Sequence, residues 1–386
     1  MDNHFDFAII GAGAAGLHLS LAMIRDDYFK NKKILILEKG EKNQNDRTWS
    51  FWENGSGNWD HILHHSWGKG AFYSDGFEKK LQMKGYRYKM IRSVNFYKNA
   101  KDQIFASDAF VWKKTEVDRV SQSDTGVPVI HTSIGKFSAD HIFDSRIDPE
   151  FLENKDNHIH LLQHFKGWFI KTPKPIFDPD KFVMMDFRLR WKNGTSFTYV
   201  LPFSPNEAMI EFTLFDQKML KDQDYDHMLK QYIYKYLKIE DYEILEEEKG
   251  VIPMTSFPFY KKNNHQITKI GTAGGWVKPS SGYAFKHCEK FSERIVRNIK
   301  NNKVPSHQLF YKRYRWYDSL LLDILWSKNE LGAPIFASMF KRNKVVEIFK
   351  FLDEEGSLAS DLRVITSFHP TPFLKALGKQ IMSFNL

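Results

Sequence analysis

The most constraining stretch of the sequence is its start. Residues 5–10, Phe-Asp-Phe-Ala-Ile-Ile, form a mostly apolar run that stops at a glycine, as a buried parallel strand does. Gly11-Ala12-Gly13-Ala14-Ala15-Gly16 follows. Leu17, Leu21, Ile24 and Tyr28 then recur at helical spacing, Asn31-Lys32-Lys33 makes a polar turn, and a second apolar run at 34–37 ends at Glu38. Strand, Gly-x-Gly-x-x-Gly turn, helix, strand and acid together predict a βαβ unit for the ADP half of a flavin or nicotinamide dinucleotide. Gly11 permits the tight turn, Gly13 lets the backbone approach a pyrophosphate, and Gly16 lets helix pack on strand, with Ala12, Ala14 and Ala15 completing the loop. The helix N-terminus offers unpaired N–H groups to the phosphates. Glu38, with Lys39 beside it, stands where a carboxylate accepts hydrogen bonds from a ribose 2′-OH, which disfavours the 2′-phosphate of NADP.

A second glycine-rich segment decides between flavin and nicotinamide. Residues 271–283 follow an apolar strand and lead into a helix. In many FAD proteins a late Gly-Asp-Ala segment reaches the ribityl chain and pyrophosphate, and a Pro-x-x-Gly lies beside the isoalloxazine. Gly271, Thr272, Ala273, Pro279, Gly282 and Tyr283 are the matching candidates, with Thr272 putting a hydroxyl where the carboxylate usually stands. The predicted fold class is α/β: a Rossmann-type FAD-binding domain of the aromatic-hydroxylase (glutathione-reductase-like) type, with an inserted antiparallel-sheet substrate domain and C-terminal helices. The FAD-binding domain is expected at 1–150 and 250–300, the substrate sheet at 151–250, and its helical part at 301–386. Residues 70–150 read as mixed short helices and strands, 160–250 as alternating strands, and the rest as amphipathic helices interrupted by prolines at 305, 334, 370 and 372.

Within that branch, several segments resemble the bacterial lycopene β-cyclase family, FAD-dependent carotenoid enzymes. Asp46-Arg47-Thr48-Trp49-Ser50-Phe51-Trp52 is similar to its Thr-Trp-Ser-Phe signature. Phe143-Asp144-Ser145-Arg146, Leu162-Gln163-His164-Phe165-Lys166-Gly167-Trp168, Met185-Asp186-Phe187-Arg188 and Tyr199-Val200-Leu201-Pro202-Phe203-Ser204 match four further blocks in order. Ile210-Glu211-Phe212-Thr213 falls where the family keeps its catalytic acid, and Phe212 stands where many relatives carry a second one. The likeness runs from residue 5 to roughly 290 and more loosely beyond. It implies cyclisation of lycopene ends to β-rings without net redox change, reduced FAD as the active cofactor, NAD(P)H as a candidate electron donor, and Glu211 as the catalytic proton donor. From composition alone, Glu211 reads instead as an acid on an exposed strand face shared with Met209 and Thr213. An FAD monooxygenase or polyprenyl reductase acting on an apolar isoprenoid is the alternative function, and a non-catalytic flavin-binding module another.

Composition bears on the ligand. With 33 Phe, 16 Tyr and 10 Trp, the chain is aromatic enough to line an apolar pocket as well as fill a core. Trp49, Phe51 and Trp52 are candidates for a substrate tunnel or for a core cluster. Arg47 is a candidate for the adenosine ribose or a phosphate, or a surface arginine; Asp144 and Arg146 read as a structural ion pair. The net charge of +9 comes without a nucleic-acid motif. The pairs His64-His65 and His158/His160 lack an accompanying carboxylate or cysteine cluster, so no metal is predicted. A single cysteine, Cys288, gives no reason for an oxidising compartment. Met1-Asp2-Asn3-His4 lacks a secretory pattern, and no window is apolar enough to span a bilayer. A cytoplasmic protein is expected, touching the inner face of the cell membrane peripherally to receive lycopene. Residues 336–351 interleave Phe340, Val345, Ile348 and Phe349 with Lys341, Arg342, Lys344 and Lys350, which suits an anionic lipid surface or a core helix with a basic outer face.

Overall fold

The computed structural model describes residues 3–368 except 124–125 and 154–157, together with Phe373 and Ala376. The first strand, helix and second strand form as predicted: β1 (His4–Ile10), α1 (Ala14–Ile24) and β2 (Ile34–Glu38). Tyr28 lies beyond the helix, in a short turn at Asp27–Phe29. β1 pairs in parallel with β2 on one side and with Gly135–Asp144 on the other. Phe110–Lys114 continues the parallel sheet past β2, and Ile267–Lys269 lies beside the end of Gly135–Asp144. Val117–Gln122 and Pro128–Thr132 add an antiparallel flank. Alternate residues of β1 enter different cores. Phe7 and Ile9 pack with α1 and the helices Ser93–Phe105 and Phe285–Lys300, whereas Ala8 and Ile10 pack with Val117, Ile130 and Phe137. Burial on both faces is why the strand reads as an almost continuous apolar run.

The second sheet has seven strands in the order Glu243–Thr255, His160–Lys171, Glu207–Asp216, Thr195–Pro202, Lys181–Asp186, Lys69–Ser74 and Phe77–Leu81. All neighbours are antiparallel except Lys181–Asp186 with Lys69–Ser74. Strands at 69–81 therefore fall inside the 1–150 span expected of the nucleotide domain yet extend the other sheet, and the strand 243–255 crosses the boundary expected at 250. Long-range pairing decides this, and it leaves no mark on local sequence. A three-stranded sheet, Thr48–Asn54 with Tyr86–Arg92 and His65–Trp67, joins the two parts.

Each face of the second sheet is covered differently. The helix Asp222–Tyr232 closes one face over Trp168, Ile210, Phe212 and Leu214. The helices Lys312–Ser327, Gly332–Arg342, Val345–Leu352 and Leu358–Thr366 contribute to the core on the other. There Phe72 stacks on Phe340 with ring centroids 4.2 Å apart. Pro334 sits in the first turn of its helix, where no hydrogen bond is lost; the prolines at 370 and 372 lie outside the described residues. The stretch 336–351 is not one lipid-facing helix. It breaks at Asn343 and Lys344, and Phe340, Val345, Ile348 and Phe349 are all buried in the core. Its basic residues form the outer face of core helices.

Candidate active site

A cavity of about 570 Å³ runs from the β1–α1 loop, past the 271–283 segment, to one face of the second sheet. The three glycines of the loop have different surroundings. Gly11 has φ +93°, and a Cβ there would lie 2.1 Å from Ser145 Oγ. A Cβ on Gly16 would lie 2.0 Å from the Gly11 carbonyl oxygen. At Gly13 a Cβ would meet nothing within 4 Å, because this glycine faces the cavity. Ala14, Ala15 and Gly16 line it too, and α1 has no side-chain cap on its first turn. An open backbone and an uncapped helix N-terminus suit a phosphate.

Glu38 lies outside the residues lining this cavity. It is buried, and its carboxylate ties the loop together by accepting from Ala12 N at 2.6 Å and Gly40 N at 2.7 Å. Lys39 points to the surface and pairs with Glu116 at 2.9 Å. Arg47 does reach the cavity, beside Lys42 and Asp46. Asp144 and Arg146 form the expected ion pair, joined by Lys269.

In the second segment, Gly271 has φ +62° and Gly282 φ +73°, backbone that favours glycine, and a Cβ on Gly282 would lie 2.2 Å from Gln163 Oε1. Gly271, Thr272, Gly282 and Tyr283 line the cavity, and Ala273 is buried beneath it. Pro279 lines a neighbouring cavity of about 600 Å³, which shares Thr272 and Val277 with the first. Gln163 Oε1 and Ser281 Oγ, buried at the main cavity, have no hydrogen-bond partner among the described residues. Two such atoms beside an open glycine loop fit a polar, phosphate-bearing cofactor.

Of the three tunnel candidates, only Trp49 lines the cavity. Phe51 stacks on Phe285, and Trp52 stacks on Phe349 while its indole N–H donates to Asp353 at 2.6 Å. Adjacent on the strand Thr48–Asn54, they enter opposite cores, Phe51 the one beside α1 and Trp52 the one beneath the second sheet.

At the far end stands Glu211, on the strand Glu207–Asp216. Alternation places Met209 and Thr213 on its face and sends Phe212 into the opposite core, where its exposure is 0%. What remains open of the Glu211 side chain faces the cavity, as against an outer surface. Burial pushes its carboxyl up to about 8, the charge of Glu248 adds to this, and a hydrogen bond from the Thr213 hydroxyl at 2.8 Å opposes it. At pH 7 the protonated form of such a group predominates. Tyr88, Tyr199 and Tyr283 stand close, each with its hydroxyl held far above the usual range, chiefly by burial. Cys288 also lines the cavity, but burial pushes its thiol up to about 12, which removes it as a nucleophile.

Sequence reading missed Glu248, Tyr88, Gln163 and Ser281. Glu248 belongs to the run Glu246-Glu247-Glu248, which reads as a solvated edge; only its register places it on the cavity wall. Among the described residues, no three or more His, Cys, Asp or Glu are grouped as a metal ion requires.

A glycine-loop dinucleotide fold whose loop opens into a cavity walled by a second, largely antiparallel sheet defines a class, the Rossmann-type FAD-binding fold of flavin-dependent halogenases and monooxygenases. A flavin-dependent brominase, Bmp2, shares it with a TM-score of 0.65 at 14% identity, over 98% of this chain and 100% of that one. A geranylgeranyl bacteriochlorophyll reductase-like protein from Thermoplasma acidophilum superposes with a TM-score of 0.61 at 12% identity, over 96% and 98%. Within this class the chain belongs to the lycopene cyclase protein family, whose model matches residues 6–377. It is 22% identical to the lycopene beta-cyclase of Pantoea ananas over 98% of both chains. It is 25% identical to a chloroplastic neoxanthin synthase of Solanum tuberosum over 80% of this chain, a match that spans 64% of the plant enzyme's length.

Proposed function

We propose that the protein is a lycopene β-cyclase. The observation carrying this is Glu211: a carboxyl kept protonated by burial, facing a cavity that holds Trp49, Tyr88, Tyr199 and Tyr283 and reaches the dinucleotide loop. Ring closure begins when a proton adds to C2 of the terminal C1–C2 double bond, leaving a tertiary cation at C1. The C5–C6 double bond attacks C1, and loss of the C6 proton leaves the β-ring. Electrons and atoms balance without oxidant or reductant, so the class is intramolecular isomerisation. A neutral acid in a dry pocket is what the first step needs, because an ionised one has no proton to give. Trp49 and the rings of Tyr88, Tyr199 and Tyr283 line the cavity and would stabilise a cation held against their faces.

The cofactor reading is FAD. Gly11–Gly16 and Arg47 would receive its pyrophosphate and adenosine end, and Gly271, Thr272, Gly282, Ser281 and Gln163 its flavin end. Glu38 would fix the loop while its spare lone pairs meet the ribose. Bound there in reduced, anionic form, FAD would supply negative charge without net redox change; NAD(P)H is the proposed source of its electrons. Lycopene is a bilayer hydrocarbon, and no helix among the described residues is long and apolar enough to cross a membrane. Peripheral contact with the inner face of the cell membrane is therefore the proposed route of delivery.

The test is anaerobic conversion of lycopene by the FAD-loaded protein with a limiting electron donor. Rings accumulating in excess of donor oxidised support the cyclase. One donor oxidised per molecule converted would overturn it in favour of a reductase.

A further inference from the structure

Glu248 stands level with Glu211 on the same cavity wall, two strands away. The strand His160–Lys171 runs between theirs, and Gly167 is opposite Glu211 in one pairing and opposite Glu248 in the other. Residues in register across a sheet share a face, so the two glutamates project together, about 10 Å apart at their Cα atoms. A Cβ on Gly167 would lie 2.9 Å from Met209 Cε and 3.4 Å from Glu211 Cβ, so the Met209 and Glu211 side chains close over this glycine. Both glutamates line the cavity. Phe212, next to Glu211 in sequence, is on the other face and takes no part.

The two carboxyls have unequal surroundings. Glu248 accepts from Thr48 N at 2.9 Å and from the Thr48 hydroxyl. Burial, the largest influence, holds its carboxyl above the usual range; the two bonds from Thr48 and the positive charge of Arg92 act the other way, and Glu246 adds to the rise. Glu211 accepts one bond, from Thr213, and the charge acting on it is that of Glu248. The neighbouring cations are occupied elsewhere: Lys166 pairs with Asp226 and Glu247, and Lys249 with Asp222. Paired carboxyls in unequal settings separate into one acid and one anion.

We infer that Glu248 is a positioning residue for the acid: with two bonds from Thr48 against the single bond on Glu211, it is the carboxyl of the pair that ionises first, and its charge keeps the proton on Glu211. The inference rests on the reading of Glu211 as proton donor. The carboxyl pair at this site is thus assembled from two strands separated by a glycine.

The test is the pH profile of lycopene conversion by FAD-loaded wild type and Glu248→Gln. Wild-type activity should fall as pH rises through about 8. In Glu248→Gln the fall should begin at lower pH, by about one unit or more, with activity recovered below it. Glu248→Asp, which keeps the charge, should leave the limb near its wild-type place. Thr48→Val, which weakens the hold on the anion, should move it the same way as Glu248→Gln by less, and serves if that variant does not fold. An unmoved limb in a flavin-replete variant, or activity lost at every pH, would overturn the role of Glu248. Glu211→Gln separates the two readings: if it is inactive while the limb of Glu248→Gln stays put, the proton donor stands and only its partner falls.

Discussion

The Thr213 hydroxyl donates to Glu211 Oε1 across 2.8 Å. An oxygen that accepts this bond leaves the acidic hydrogen to Oε2, so the bond orients the proton as well as the carboxyl. Loss of that proton is the sharpest test of the site. Glu211→Gln keeps size and hydrogen-bonding capacity, and turnover should fall by about 10²–10⁴-fold or more with flavin content unchanged. Glu211→Asp withdraws the carboxyl by one methylene and should cost about a hundredfold. Turnover of lycopene by Glu211→Gln within about threefold of wild type would remove Glu211 as the donor.

Gly13 is the loop glycine whose Cβ would enter open space. Gly13→Val should therefore fold normally and lose FAD, because its side chain occupies the pyrophosphate's approach. Gly16→Val would drive a side chain into the Gly11 carbonyl and should lower Tm as well as flavin content. Absorbance of the purified variants and thermal melts distinguish the two; stoichiometric flavin in Gly13→Val would refute the assignment of the loop.

Stability should carry the mark of Glu211. Its folded pKa, about 8, lies above the unfolded value, so the folded state binds the proton more tightly. That contribution is fully present below the unfolded carboxyl pKa near 4.3 and is lost as pH rises through about 8. Glu211→Gln cannot ionise, so its Tm relative to wild type should improve between about pH 5 and about pH 9. A Tm difference independent of pH would show that the carboxyl is solvated.

Phe349 is fully buried and stacks on Trp52 with ring centroids 4.6 Å apart. Phe349→Ala should destabilise by about 3–5 kcal/mol in denaturant unfolding. If membrane contact is made by other surfaces, vesicle sedimentation of the folded variant should match wild type. Reduced sedimentation on anionic vesicles at unchanged stability would instead return this helix to the membrane.

The sequence by itself determined the dinucleotide unit and the candidate acid. Gly11, Gly13 and Gly16 are legible because each answers a local steric demand within one turn, and the strands around them are buried on both faces and so continuously apolar. Glu211 was legible only through family resemblance; alternation alone put it on an exposed face with Met209 and Thr213. Tertiary structure turned that face inward, because the strand Thr48–Asn54 and the 271–283 segment close over it. It also withdrew Phe51, Trp52 and the apolar side of 336–351 into cores, assigned 69–81 to the second sheet, and brought Glu248 level with Glu211 through Gly167. Strand register and sheet order join residues far apart in the chain. No short-range pattern of side chains encodes them, so which acids meet was decided by the assembled sheet.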